Sequence, residues 1–283
     1  MRHCAPDLPD TYDLALSFFL PLDFLIEKVK AKRKIGWIHT DYSAEKSNLD
    51  MLRNQYEKMD GIAAVSGACK ETFCKTFPEL ANKVFTIENI LSQAFILQQA
   101  ETDTQISEIH ADGSIKLLSI GRFCTAKNFD NVPDICRRLR ECGLNVKWYL
   151  IGFGGDEPLI RQRIAEAGMQ EQVVILGKKS NPYPYIKACD LYVQPSRYEG
   201  KCVTVREAQM LGKPVVITNY ATAPSQLEDG ADGVVVPMDN AGCAEGIAQL
   251  LRDPQRMARL AQTCRSRDYS NAAEVKKLYQ LME

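Results

Sequence analysis

Short apolar runs bounded by glycine, proline or small polar residues alternate along the chain with stretches whose apolar residues fall three and four apart. From Tyr12 to about Asn89 the pattern predicts a strand at "YDLALSFF", a helix at "LDFLIEKVKAK" and a strand at "KIGWIHT". A helix at "NLDMLRNQYEKM" and strands at "GIAAVS" and "KVFTIEN" follow. The polar stretch from about Ser92 to Gly113 marks a junction or an exposed helix-loop. Beyond it the alternation is regular: strands "IKLLSIGRF", "VKWYLIG", "VVILG", "LYVQPS", "PVVIT" and "GVVV", with helices "VPDICRRLRECG", "EPLIRQRIAEAG", "YPYIKAC" and "VTVREAQMLG" among them. Gly143 stops the first of these helices. Helices over 241–252 and about 254–266, then the amphipathic "AAEVKKLYQLM", end the chain. Apolar strands alternating with short helices predict βαβ units and a parallel sheet covered on both faces.

Composition narrows the class. The 283 residues are 45% hydrophobic and 25% charged, an ordinary globular balance, and the net charge of -1 gives no general attraction to nucleic acid. Ten cysteines are scattered, with no CxxC pair and no zinc-like spacing, and read as reduced thiols of a cytoplasmic protein. No apolar run is long enough to span a bilayer, and the N-terminal apolar patch lacks the basic start and cleavage site of a signal peptide.

In an open parallel sheet, ligands bind outside the carboxyl ends of the strands. The segments there are "GRFCTAKN", "GFGGDEP", "GKKSNPYP", "PSRYEGKC" and "NYATAPS", rich in glycine, cations and small polar residues. That chemistry suits a phosphate-bearing ligand. Arg122 and Lys127 follow the first strand of the second block, where two cations can hold a diphosphate, arginine by its fork and lysine as a point charge. No Asp-x-Asp motif offers a metal to do the same.

The stretches "SIGRFCTAKN", "YLIGFGGDEPLI", "NPYPYIKACDLYVQPSRYEGKCVTVREAQMLGKPVVIT" and "GVVV" resemble the donor-binding domain of the retaining GT-B glycosyltransferases of group 1, or family 4. The segments "KIGWIHTDY", "AAVSGACK" and "TIEN" extend the resemblance into the first block. It implies an α/β protein of two Rossmann-like domains with the active site in the cleft. It also implies transfer of a hexosyl group from a UDP- or GDP-linked sugar to a glycan or lipid-linked acceptor, with retention and without a metal cofactor, in bacterial surface polysaccharide synthesis. The expected division is a partial N-terminal, acceptor-side domain over 1–92 and a donor-binding domain over 93–262. A C-terminal helix over 263–283 returns to the first domain.

Residue by residue, the resemblance assigns Arg122 and Lys127 to the leaving diphosphate. The pattern E-x7-E places Glu199 beside the transferred sugar, as a catalytic residue, and Glu207 on the ribose hydroxyls. Gly200 permits close backbone approach to a ligand. Cys202, often glycine in relatives, narrows the sugar pocket. Val203 and Thr204 open the helix whose N-terminus faces the phosphates. Lys201 reads as a further phosphate contact or an exposed charge. Lys178, Asn181 and Tyr183 read as the nucleobase loop or as a proline-shaped turn. His39 resembles a second catalytic-site residue near the sugar, against a purely structural histidine; Asp41 and Ser66 line the same cleft. Glu207 has a structural alternative, since Thr204-x-x-Glu207 spells a capping box. The run Lys28, Lys30, Lys32, Arg33, Lys34, expected on a helix and loop, reads as a solvated face or as a peripheral contact with the anionic inner face of a membrane. The first block is shorter than a full Rossmann-like domain, and its usual opening strand with a glycine-rich loop is missing. Nucleotide-sugar binding without turnover is therefore one rival reading; a GT-B epimerase or phosphorylase is another.

Overall fold

The computed structural model describes residues 6–18, 21–42, 48–102, 108–109 and 112–281. Two compact α/β units emerge. The first takes residues up to Leu91, the short segment Glu199–Lys201 and the chain from Asn271; the second takes Ser92–Tyr198 and Cys202–Ser270.

The first unit is a four-stranded parallel sheet in the order β1 (Thr11–Ser17), β2 (Lys30–Ile38), β3 (Gly61–Ala64), β4 (Val84–Thr86). Helices α1 (Asp23–Lys28), α2 (Leu49–Glu57) and α3 (Gly67–Thr76) connect the strands. Two of these helices are capped by the preceding polar residue: Asn48 accepts the Met51 N–H at 3.1 Å and Ser66 accepts the Cys69 N–H at 3.1 Å. Tyr42, Tyr56, Phe73 and Phe77 meet edge-on or tilted, with ring centroids 5.0–6.3 Å apart, and pack with Ile35 and Ile62.

Two expectations change here. The helix predicted through "EKVKAK" stops at Lys28, and β2 begins at Lys30. Val29 is buried between the half-buried Lys28 and the exposed Lys30, a two-residue alternation, and β1 offers a parallel partner in the register Thr11↔Lys30, Tyr12↔Ala31. A strand turns alternate side chains to opposite faces, so the basic run does not form one helical stripe. Lys28 pairs with Asp7 and Lys32 with Asp13, while Lys34 donates to the Ile26 carbonyl. Helix α3 and the 3-10 turn Pro78–Lys83 were not expected, because Gly67 and the polar residues of "GACKETFCKT" weaken the apolar period.

The second unit opens with α4 (Gln93–Gln99), within the stretch read as a junction or helix-loop, and contains strands β5 (Ile115–Ile120), β6 (Val146–Ile151), β7 (Val173–Gly177), β8 (Leu191–Gln194), β9 (Val215–Thr218) and β10 (Val234–Val236). All pair in parallel, in the order β10-β9-β8-β5-β6-β7. Helices α5 (Val132–Glu141), α6 (Glu157–Glu166), α7 (Tyr183–Ala188), α8 (Val203–Met210), α9 (Asn240–Leu251) and α10 (Pro254–Ser266) stand where the pattern predicts them. Alternate strand residues feed two cores: Leu117, Trp148 and Leu150 pack on one side, Leu118, Tyr149 and Ile151 on the other. That double burial is why these strands read as continuous apolar runs. After α10 the chain ends in α11 (Glu274–Gln280), which groups with the first unit. Among the described residues no helix is long and apolar enough to cross a membrane.

Candidate functional site

In the second unit the strand order reverses between β5 and β8, so the chain runs outward from that point in both directions. The crevice outside the carboxyl ends of these two strands is where an open α/β sheet takes a ligand. The loop after β5 carries Arg122 and Lys127. Several contacts tie it to the loop after β8: the Asn128 side chain donates to the Pro195 carbonyl at 2.9 Å, the Arg197 N–H donates to Ala126 O at 2.8 Å, and the Arg197 guanidinium donates to Thr125 O at 2.7 Å and grips Asp130. Asn128 adopts a left-handed φ of 60° to make the turn. Lys127 is thereby laid along Gly121, with its Nζ 3.8 Å from Cys202 Sγ. Arg122 is exposed and has no ion-pair partner among the described residues. The turn after β6 presses against this loop: a Cβ on Gly154, at φ 158°, would lie 2.2 Å from the Phe123 carbonyl oxygen.

Helix α8 begins on the other side of the crevice. The side chain of its N-cap, Cys202, caps none of the first backbone N–H groups, so those of Val203 and Thr204 stay available to an anion. The capping box does not form. The Thr204 hydroxyl is 2.6 Å from the Tyr192 hydroxyl and 3.5 Å from the Ile120 carbonyl, which draws it away from the helix end. Glu207 lies inside the helix and accepts a hydrogen bond from the Tyr183 hydroxyl at 3.0 Å. Burial raises the Glu207 pKa, and the Tyr183 phenol is pushed up to about 12 by burial and by that carboxylate. Tyr183 also meets Phe95 edge-on. Asn181 is engaged with the Gln99 carbonyl and Thr102, and accepts the Tyr183 N–H; the Lys178 ammonium lies 5.4 Å over the exposed Phe153 ring. The structure therefore groups Arg122, Lys127, Cys202, Val203, Thr204, Glu207, Lys178, Asn181 and Tyr183 in one unit, on loops and helix starts at or next to the carboxyl ends of its strands.

A raised Glu207 pKa has a measurable sign. The stability this group contributes is fully present below its ordinary value of 4.5 and is lost as pH rises through the raised native value. Glu207→Gln keeps an acceptor for Tyr183 without the buried charge. It is expected to melt above the unmodified chain at pH 7–8, with the gap closing as pH falls towards 4.5. Equal melting temperatures across that range count against the assignment.

The remaining candidates group with the first unit. Gly200 is needed there for the packing of the chain itself: a Cβ would lie 2.2 Å from the His39 carbonyl oxygen. This close approach is to the backbone just past the end of β2. The Ser66 hydroxyl reaches the Gly200 carbonyl at 3.5 Å. Lys201 is not exposed: it pairs with Glu88, whose backbone N–H is held by Glu274 at 2.9 Å. Glu199 and His39 thus belong to adjoining segments of one unit, with Asp41 buried two residues beyond His39. Burial lowers the His39 pKa, favouring a neutral imidazole. Sequence reasoning missed Asn128, Glu88 and Gln226, each of which acts through a partner distant in the chain. Among the described residues no three His, Cys, Asp or Glu side chains gather to hold a metal, and the described cysteines are free thiols.

The family description "Glycosyl transferases group 1" matches residues 101–267, more than half of the chain and nearly all of the second unit. The chain belongs to this family. Among its group 1 relatives, the alpha-D-kanosaminyltransferase of Streptomyces kanamyceticus is 25% identical over 189 residues, 64% of this chain and 48% of the relative. The N-acetylgalactosamine-N,N'-diacetylbacillosaminyl-diphospho-undecaprenol 4-alpha-N-acetylgalactosaminyltransferase of Campylobacter jejuni is 26% identical over 216 residues, 74% of this chain and 57% of the relative. The chain spans about half the length of the curated relatives it matches. Its fold is that of the GT-B glycosyltransferases. HepE of Anabaena, solved in complex with UDP-glucose, superposes with a TM-score of 0.76 at 20% identity, over 88% of this chain and 72% of HepE.

Proposed function

We propose that this group 1 chain binds a nucleotide-sugar and moves its hexosyl group, with retention, to a hydroxyl of a glycan or lipid-linked acceptor. The observation that carries this reading is Lys127, fixed at the β5/β8 reversal beside the open start of α8. When the bond from the anomeric carbon to the diphosphate breaks, the leaving group takes the electron pair and its negative charge grows. Arg122, Lys127 and the α8 N–H groups would stabilise that charge without a metal. Glu207, oriented by Tyr183, would take the ribose hydroxyls, and Glu199 the sugar. The UDP-glucose held by HepE and the undecaprenol diphosphate in the name of the Campylobacter relative favour UDP and a lipid-linked acceptor.

Titration of UDP, GDP and ADP in EDTA tests the first half. One of the three is expected to bind with unchanged affinity when magnesium or manganese is added; binding that appears only with metal refutes the metal-free site. Glu199→Gln tests the second half. It is expected to leave diphosphate affinity intact while reducing affinity for the sugar-bearing donor and turnover. Equal loss of both ligands would remove Glu199 from the sugar. A second reading, donor binding without transfer, is favoured by one fact: every residue assigned to the diphosphate and ribose lies in the second unit. Release of diphosphate from the bound donor, followed over time, separates the two.

A further inference from the structure

We infer that Gln226 is a positioning residue for the diphosphate site, clamping the Cys202 peptide so that the start of α8 faces the crevice in one fixed orientation. The inference rests on the donor reading above and adds the group that sets its geometry. Gln226 follows β9, twenty-four residues beyond Cys202, and is 1% exposed. Its Oε1 accepts the Cys202 N–H at 2.8 Å, and its Nε2 donates to the Cys202 carbonyl at 3.1 Å. The side-chain amide thus pairs with the Cys202 backbone at both its donor and its acceptor.

The clamp is itself anchored. Gln226 ends the 3-10 turn Ala223–Ser225, where its N–H bonds to Ala223 O at 2.9 Å. Its carbonyl accepts from the Arg206 guanidinium at 3.2 Å, and Arg206 lies 4.7 Å over the Tyr269 ring. Three consequences follow. The buried Cys202 N–H is already used, so an anion at this helix end is left the N–H groups of Val203 and Thr204. The Cys202 carbonyl, which as N-cap accepts the first bond of α8, also receives the Gln226 amide on its second lone pair. And the Cys202 thiol stays within 3.8 Å of the Lys127 ammonium and 3.2 Å of the Thr204 hydroxyl. The N-cap's own side chain does not cap this helix, so Gln226 supplies from a distant loop the restraint that a cap usually supplies from next door.

Gln226→Met keeps the length of the side chain and removes its amide. The test compares the full chain and this variant by titration with UDP, GDP and ADP, by ligand-observed NMR with the matching nucleosides, and by a melting curve. The expected result is a loss of about tenfold or more in diphosphate affinity, with the nucleoside affinity within about twofold. A folded Gln226→Met protein that binds the diphosphate as tightly as the unmodified chain overturns the inference. So does an equal loss for diphosphate and nucleoside, which marks a purely structural role. If Gln226→Met gives no cooperative melt, Gln226→Asn, one methylene too short for either bond, decides by the same comparison. An unmodified chain that binds none of the three diphosphates sinks the donor reading, an outcome distinct from a clamp that proves irrelevant.

Discussion

Lys127→Ala and Arg122→Ala are each expected to weaken nucleoside diphosphate binding by roughly 1.5–3 kcal/mol, about 10- to 150-fold, while the free nucleoside binds as before. The reason is the location of the charges. Lys127 is packed against Gly121 and held by a loop that the Asn128 and Arg197 contacts fasten to the β8 side of the crevice. Its ammonium therefore needs little further ordering when an anion arrives. Arg122 is exposed, so part of its contribution is screened by salt and offset by the cost of ordering its side chain. Lys127→Ala should accordingly fall at the upper end of the range and Arg122→Ala at the lower. Raising the ionic strength should weaken binding to the unmodified chain and to Lys127→Ala, the latter by less, since one phosphate contact is gone. Titrations of diphosphate and nucleoside at two salt concentrations measure all of this. Variants that lose the nucleoside as badly as the diphosphate would mean damage to the fold instead of removal of a phosphate contact.

Gly200→Ala is the second large effect. The added methyl would sit 2.2 Å from the His39 carbonyl oxygen, 2.6 Å from its carbon and 3.0 Å from the Thr40 nitrogen, all backbone atoms that cannot rotate aside. Either the Glu199–Lys201 segment lifts off or the end of β2 bends. Both outcomes strain the Lys201–Glu88 ion pair and the Ser66 bond to the Gly200 carbonyl. A stability loss of about 1–3 kcal/mol is expected, the usual cost of forcing a methyl into a filled site. Turnover should fall more than about tenfold, because Glu199 moves with its neighbour and an ångström-scale misplacement of a site residue costs that much or more. Diphosphate affinity should change little, since Arg122, Lys127 and the α8 start belong to the other unit. Gly155→Ala is the control: nothing lies within 4 Å of a Cβ there. A Gly200→Ala protein with unchanged melting temperature and turnover would disprove the argument.

The alternation of apolar and polar residues was enough to determine most of the secondary structure and all of the parallel second sheet. Each strand from Ile115 to Val236 is a compact apolar run because side chains on both of its faces pack into cores. Strand ends rich in glycine and cations marked the candidate site for the same reason: ligand chemistry accumulates where the sheet presents loops. What local pattern left open was decided by partners far along the chain. Lys30–Lys34 could have continued a helix, and became strand because β1 supplies the backbone partners. Thr204-x-x-Glu207 had the spelling of a cap, yet Thr204 finds Tyr192 twelve residues back and Glu207 finds Tyr183 twenty-four residues back. Gly200 was legible as a close approach, but only the fold shows that its neighbour is His39. Gln226 carried no signal at all. A polar side chain's role is set by which donor or acceptor lies within about 3 Å of it once the chain is folded. Spacing in sequence predicts that only for neighbours on the same helix or strand.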